Sequence, residues 1–157
     1  MLLKIFILSI IFSLNTFQTF SQCEKLKRKD IYHLLGAAEY DNSKSTAINT
    51  YDNIYTEEYQ INLFKGVVYK LIFDVSKMPE GVTINLYDIG NKRGPNKYEK
   101  VFSSETATKT KFNTYEITME FPLKKMLVSY HVLNNTKPGC VSFVLGYYFK
   151  NRTHKSR

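Results

Sequence analysis

The chain has 157 residues, of which 43% are hydrophobic and 23% charged, as is ordinary for a folded globular domain. Its formal net charge is +8, but the basic residues are scattered among Asp and Glu rather than gathered in one tract. This pattern disfavours a nucleic-acid partner. Twelve Tyr and eleven Phe, with no Trp, raise the aromatic content to 15%, and both residue types favour β-strands.

The first 22 residues are typical of a secretory signal peptide. Lys4 precedes an apolar run from Ile5 to Phe12 that only Ser9 interrupts, and the segment then becomes polar. The apolar run is shorter than the roughly 20 residues that a membrane-spanning helix needs. We therefore expect residues 1–22 to be removed during export, which leaves one domain with no membrane span.

Two cysteines, Cys23 and Cys140, remain in the exported chain. An even number of cysteines in such a chain predicts a disulfide, which would fasten the mature N-terminus to the last strand. The alternative is lipidation of Cys23, but a lipoprotein site prefers a small residue where this chain has Gln22. Two isolated cysteines do not supply the four ligands of a structural zinc site. We therefore expect a secreted or periplasmic, disulfide-bonded protein with no metal and no cofactor.

Residues 23–56 are predicted to form an N-terminal arm that lies across the main domain. Apolar residues spaced by three and four predict a short helix between Leu26 and Leu35, and Gly36 would end it. The stretch from Asp41 to Asn53 is rich in Asn, Ser, Thr and Asp, which predicts a loop or an irregular edge segment.

From residue 57 to 150 apolar and polar residues alternate, which is the period of strands with one buried face. About seven such strands, separated by turn-rich segments, predict an all-β fold, an antiparallel β-sandwich. Lys65 and Gly66 predict a hairpin between the first two strands, and residues 151–157 predict a disordered basic tail. The predicted inward residues are Tyr59, Ile61, Leu63, Val67, Tyr69, Leu71, Phe73, Val75, Val82, Ile84, Leu86, Tyr115, Ile117, Met119, Phe121, Met126, Val128, Tyr130, Val132, Val141, Phe143, Leu145 and Tyr147.

Three segments carry a resemblance to known proteins: LFKGVVYKLIF at 63–73, Tyr87-Asp88 at the end of a strand, and GCVSFVLGY at 139–147. They resemble a family of small exported proteins of unknown function from Bacteroidetes-type bacteria. The resemblance implies a secreted or periplasmic all-β domain and implies no activity. A looser similarity to β-sandwich modules appended to secreted peptidases concerns the fold alone.

The usual patterns of a catalytic site are missing from the sequence. His33, His131 and His154 occur in unrelated contexts and form no metal-ligand or nucleophile motif. Glu116 and Glu120 would lie roughly 13 Å apart along one strand, too far for either glycosidase geometry. Asp and Asn residues in the loops lack EF-hand spacing, but a calcium site formed by these loop residues stays an alternative. These observations predict a protein that is not an enzyme.

Binding is the expected class of function. Tyr87 and Tyr148 are predicted on the more polar strand faces, and Lys92, Arg93 and Tyr98 fall in the polar loop 88–98. These five are the candidate ligand-binding residues. The leading hypothesis is an exported, non-enzymatic domain that binds a protein partner, for example at a strand edge, or serves as an envelope component.

Two alternatives stay open: an accessory carbohydrate-binding module, which the lack of Trp disfavours, and a hydrolase with an unrecognised site. An open groove with Tyr side chains would favour the carbohydrate module. A deep pocket with convergent Asp, Glu or His would favour the hydrolase, and a convex surface without a pocket would favour the protein partner.

Overall fold

A computed structural model describes residues 23–90, 98–120 and 124–149 of the protein. The predicted signal peptide and the predicted basic tail lie outside the described residues. The described elements are, in chain order, α1 (Arg28–Leu35), β1 (Glu39–Ile48), β2 (Tyr55–Leu63), β3 (Val67–Asp74), β4 (Val82–Asp88), β5 (Glu99–Ser103), β6 (Thr114–Glu120), β7 (Lys124–Val132) and β8 (Gly139–Phe149). Within this part of the chain no helix has the length and apolar character that a membrane crossing requires.

The strands form two four-stranded antiparallel sheets, which confirms the predicted β-sandwich. Sheet A has the order β1-β8-β3-β6, and sheet B has the order β2-β7-β4-β5. Among consecutive strands only β4 and β5 are paired neighbours in one sheet, and every other connection passes from one sheet to the other. Each sheet is therefore assembled from strands that are distant in sequence.

The predicted hairpin between the first two strands of the alternating region is wrong. β2 pairs with β7 in sheet B, whereas β3 pairs with β6 and β8 in sheet A. Gly66 does make the expected turn, with φ of +83°, but this turn carries the chain between the sheets. Alternation of side chains shows which face of a strand is buried, but it does not show which strand is its hydrogen-bonded neighbour.

The stretch from Asp41 to Asn53, predicted as a loop or an irregular edge segment, belongs to an edge strand up to Ile48, and its remaining residues lie between β1 and β2 outside any strand. β1 pairs with β8 from Glu39 opposite Tyr147 to Ile48 opposite Gly139, with one irregularity between Tyr40 and Asn42. Its first four residues are exposed, so polar side chains there lose no hydration. The sandwich consequently has eight strands in the described residues, one more than expected.

The core lies between the two sheets and consists mainly of the residues predicted to face inward, together with Ile48 of β1, which was not predicted. Every described member of that set belongs to the central apolar cluster or packs against it, and Phe121 lies outside the described residues. In this core the Tyr59 and Tyr130 hydroxyls are hydrogen bonded at 3.0 Å. Burial raises the pKa of Tyr130 to about 12, so this hydroxyl stays neutral in ordinary buffers.

A disulfide joins Cys23 to Cys140, as predicted, with a Cα–Cα distance of 5.8 Å. Cys140 lies at the start of β8, so the bond attaches the N-terminal segment to an inner strand of sheet A. The helix α1 follows shortly after Cys23, and Gly36 ends it with a φ of +63°. The predicted helix and its terminus are thus confirmed.

The helix covers part of the outer face of sheet A. Leu35 and Ala38 form a small buried cluster there with Ile72 and Val144. Lys70 Nζ donates a hydrogen bond of 2.9 Å to the Leu34 carbonyl and pairs with Glu116 at 3.1 Å. The ammonium therefore balances both a carboxylate and the negative C-terminal end of the helix.

Gly146 allows the chain to lie close to sheet A after the helix. A Cβ at this position would overlap the Leu35 side chain and would lie 2.9 Å from the Glu39 carbonyl oxygen. The need for glycine here comes from the approach of another segment, since Gly146 is not among the glycines with positive φ.

We expect loss of the disulfide to lower stability without changing the fold. The bond joins residues 117 positions apart, and in the chain-entropy model a loop of this length contributes about 4 to 5 kcal/mol to the free energy of unfolding. The double variant Cys23→Ser/Cys140→Ser should therefore unfold at lower urea with an unchanged far-ultraviolet dichroism spectrum. Wild-type protein with a reductant is the matched control. Equal urea midpoints for the double variant and for wild type without reductant would contradict this prediction. Two free thiols in protein taken from the periplasm would contradict the disulfide itself.

Gly146→Ala should loosen the helix on sheet A and reduce stability by about 1 to 3 kcal/mol, the usual cost of overpacking. Hydrogen exchange of residues 28–38 should quicken more than that of β7. Leu35→Ala removes one overlapping partner, so the double variant should lose less stability than the two single losses added together. Strict additivity would show that the two residues do not meet.

Candidate functional site

The two outer faces of the sandwich differ in what covers them. α1 makes its packing contacts with β1, β3 and β8, which all belong to sheet A. On the outer face of sheet B lies a groove of about 530 Å³, which we call the outer groove. Its described lining consists of Thr56, Glu58, Asn85, Tyr87, Tyr98, Leu127, Ser129 and His131.

Strand pairing fixes the positions of most of these side chains. β7 runs between β2 and β4, and the residues that alternate with its core residues form three rows across the three strands. Neighbouring strands lie about 4.8 Å apart, so each row spans about 10 Å. The rows are Thr56-His131-Thr83, Glu58-Ser129-Asn85 and Gln60-Leu127-Tyr87.

The centre of the groove is buried although it belongs to an outer face. Asn85, Leu127 and Ser129 are 7%, 9% and 4% exposed. The Asn85 side-chain oxygen, Oδ1, has no hydrogen-bond partner among the described residues. A buried polar atom left in this state costs about 1 to 3 kcal/mol of stability.

Aromatic side chains lie on the β4–β5 side of the groove. Tyr87 is half-buried near the end of β4, and Tyr98 is 40% exposed immediately before β5. Lys100, opposite Tyr87 on β5, holds its ammonium 5.9 Å from the centre of the Tyr87 ring. The β2 side contributes the exposed polar residues Thr56 and Glu58. The groove is therefore aromatic on one side and polar on the other.

The structure brings together only part of the predicted binding set. Tyr87 and Tyr98 line the same groove, as candidate ligand-binding residues should. Tyr148 instead packs beside the buried cluster under α1, on the outer face of sheet A. Lys92 and Arg93 lie outside the described residues.

Sequence reasoning missed most of the groove. The predicted ligand-binding residues include none of the groove's other described lining residues, which are Thr56, Glu58, Asn85, Leu127, Ser129 and His131. The available signal was their place on the polar side of the alternation in three separate strands. Recognising them as one site required knowing that β7 lies between β2 and β4.

The groove is poor in catalytic groups. Glu58 is the one carboxylate in its described lining and His131 the one imidazole. The register sets them diagonally across β2 and β7, and no hydrogen bond or ion pair joins them among the described contacts. The described residues also contain no group of three or more His, Cys, Asp or Glu side chains placed to hold a metal ion.

Comparison with known proteins finds similarity among solved structures alone. No protein-family model and no curated protein matches the chain. Among solved structures it is similar to PliG of Aeromonas hydrophila, a periplasmic lysozyme inhibitor of g-type lysozyme, at 12% identity and a TM-score of 0.45. The match covers 71% of this chain and 89% of that chain. The resemblance to a Bacteroidetes-type family stays a prediction.

We expect Asn85→Leu to leave stability equal or to raise it. The substitution replaces a buried, unpaired amide oxygen with apolar atoms of similar volume, which removes a desolvation cost. Leu86→Asn, one position along the same strand, should lose several kcal/mol because Leu86 is fully buried in the core. Urea unfolding of the three proteins measures both effects, and a large loss in Asn85→Leu would indicate a structural role for the amide.

Proposed function

We propose that this chain is an exported, non-enzymatic binding domain and that the outer groove is its binding site. The observation that carries the proposal is Asn85 Oδ1, buried and unpaired among the described residues of an open groove that two tyrosines flank. A ligand that donates a hydrogen bond would satisfy this oxygen. Without a ligand the oxygen remains an uncompensated cost to the folded protein.

Export is supported by the disulfide between Cys23 and Cys140 together with the predicted signal peptide. Such bonds form and persist in oxidising compartments and are rare in the cytosol. The periplasm or the cell exterior is therefore the compartment in which the domain would meet its ligand.

Binding without turnover is supported by the contents of the groove. Hydrolysis of a glycosidic bond usually needs two carboxyl groups, and the described lining offers Glu58 alone. The groove is open, and its described lining does not bring several acids and bases together. Such a surface holds a ligand without excluding water from it.

A protein partner is the second candidate, and exposed apolar residues near one end of the groove favour it. Ile54 lies just before β2, two residues before Thr56, and is 57% exposed, and Leu133 lies just after β7, two residues after His131, and is 46% exposed. Tyr51 is also exposed nearby, where its carbonyl accepts a hydrogen bond from the Asn135 amide. Apolar and tyrosine side chains of this kind are common in protein interfaces.

Retention of envelope material on the immobilised mature chain tests this function. We expect wild-type protein to retain material from its own envelope fraction and Tyr87→Ala to lose most of it, because the variant removes a ring from the groove. Tyr32→Ala is the matched control, since Tyr32 is an exposed tyrosine on α1, against sheet A. Retained polysaccharide and protein are measured separately. Equal retention by wild type and Tyr87→Ala would refute the groove as the binding site.

A further inference from the structure

The chemistry of the outer groove points to a ligand class, and we propose that it binds a neutral saccharide. This inference rests on the proposed function, since it identifies what the groove holds. Three features of the described residues lead to it: the mixture of hydrogen-bonding groups, the division of the groove into aromatic and polar sides, and the pairing of both edges of β7 at its centre.

The hydrogen-bonding groups of the groove suit a ligand that both donates and accepts. Asn85 Oδ1 and the Glu58 carboxylate are acceptors, and they belong to the same row with Ser129 between them. The hydroxyls of Thr56 and Ser129 can donate as well as accept. A sugar ring carries several hydroxyls that do the same, so one ring lying over this row could satisfy Asn85 and Glu58 together.

The two sides of the groove match the two kinds of surface on a sugar. Tyr87 and Tyr98 offer aromatic rings on the β4–β5 side, and an aromatic ring packs against the C–H face of a pyranose. Thr56 and Glu58 offer polar groups on the β2 side, where the hydroxyl edge of the same ring would lie. Leu127, between them, provides an apolar floor next to Tyr87.

An extended peptide fits this floor less well. Peptides that add a strand to a sheet need a free backbone edge. The floor strand β7 pairs with β2 on one side and with β4 on the other, so both of its edges are occupied. A peptide lying across the groove would gain side-chain contacts alone and would leave its backbone amides without strand partners.

The charges of the groove disfavour a polyanion. Its described lining contains one carboxylate, Glu58, and neither Lys nor Arg. Beside this lining, the Lys100 ammonium lies 5.9 Å from the centre of the Tyr87 ring. In the described lining a phosphate or uronate polymer would meet the like charge of Glu58 and no Lys or Arg side chain.

Titration with defined sugars tests the proposal. The probes are neutral hexasaccharides of glucose, mannose, galactose, xylose and N-acetylglucosamine, added separately to the mature wild-type chain in a calorimeter. We expect at least one to bind, with amide NMR shifts concentrated on Glu58, Asn85 and Ser129 of the middle row. Tyr87→Ala should weaken that binding about tenfold, and Tyr32→Ala should not change it.

Asn85→Leu separates recognition from folding. It should weaken binding of the same sugar about threefold to tenfold while the melting temperature stays equal or rises. A fall in both binding and melting temperature would overturn the role given to the amide oxygen.

Failure to bind any of the five sugars would overturn the saccharide proposal. The pull-down then decides the broader function separately. If Tyr87→Ala still abolishes retention of envelope protein, the groove is a protein-binding site, and if retention is unaffected, the groove binds neither class.

Discussion

Contacts between aromatic rings of opposite sheets are the interaction on which the rest of this structure depends. Tyr59 of sheet B packs against Phe143 of sheet A with ring centres 5.8 Å apart, and Phe73 of sheet A stacks on Phe102 of sheet B at 5.9 Å. Rings bury large areas at fixed geometry, so these pairs set how the two sheets face each other. Because both inner faces are committed to this core, surface function is left to the outer faces, the edges and the loops.

The two outer faces of the sandwich differ in what covers them. The outer face of sheet A is covered by α1. This helix is held in place by the Lys70 ammonium, by the close approach that Gly146 permits and by the disulfide of Cys23. These devices belong to three different parts of the chain, and together they convert an amphipathic segment into a cover for Ile72. The outer face of sheet B carries the groove instead. The asymmetry follows from where the N-terminal segment is tied.

Asn85 is a buried polar residue on an outer face, and its Oδ1 has no hydrogen-bond partner among the described residues. Thr46 Oγ1 is in the same state, but Thr46 lies on the edge strand β1 and does not line the groove. Local conflicts of this kind tend to mark functional sites, because a sequence selected for stability alone would remove them. The unpaired amide oxygen of Asn85 therefore supports the proposal that the groove binds a ligand.

Sequence alone determined which side of six of the eight strands faces the core, where α1 ends at Gly36, and that Cys23 and Cys140 pair. Each of these follows from the residues themselves: the two-residue alternation, the freedom of glycine at positive φ, and the presence of only two thiols in the sequence. Tertiary structure decided that β2 and β3 separate into different sheets and that Tyr87, Tyr98 and Asn85 share one groove with residues of β2 and β7. Those outcomes depend on which distant strands become neighbours. A strand shows the same alternation whichever strand it pairs with. Only the packing of all eight described strands together selects each strand's neighbours.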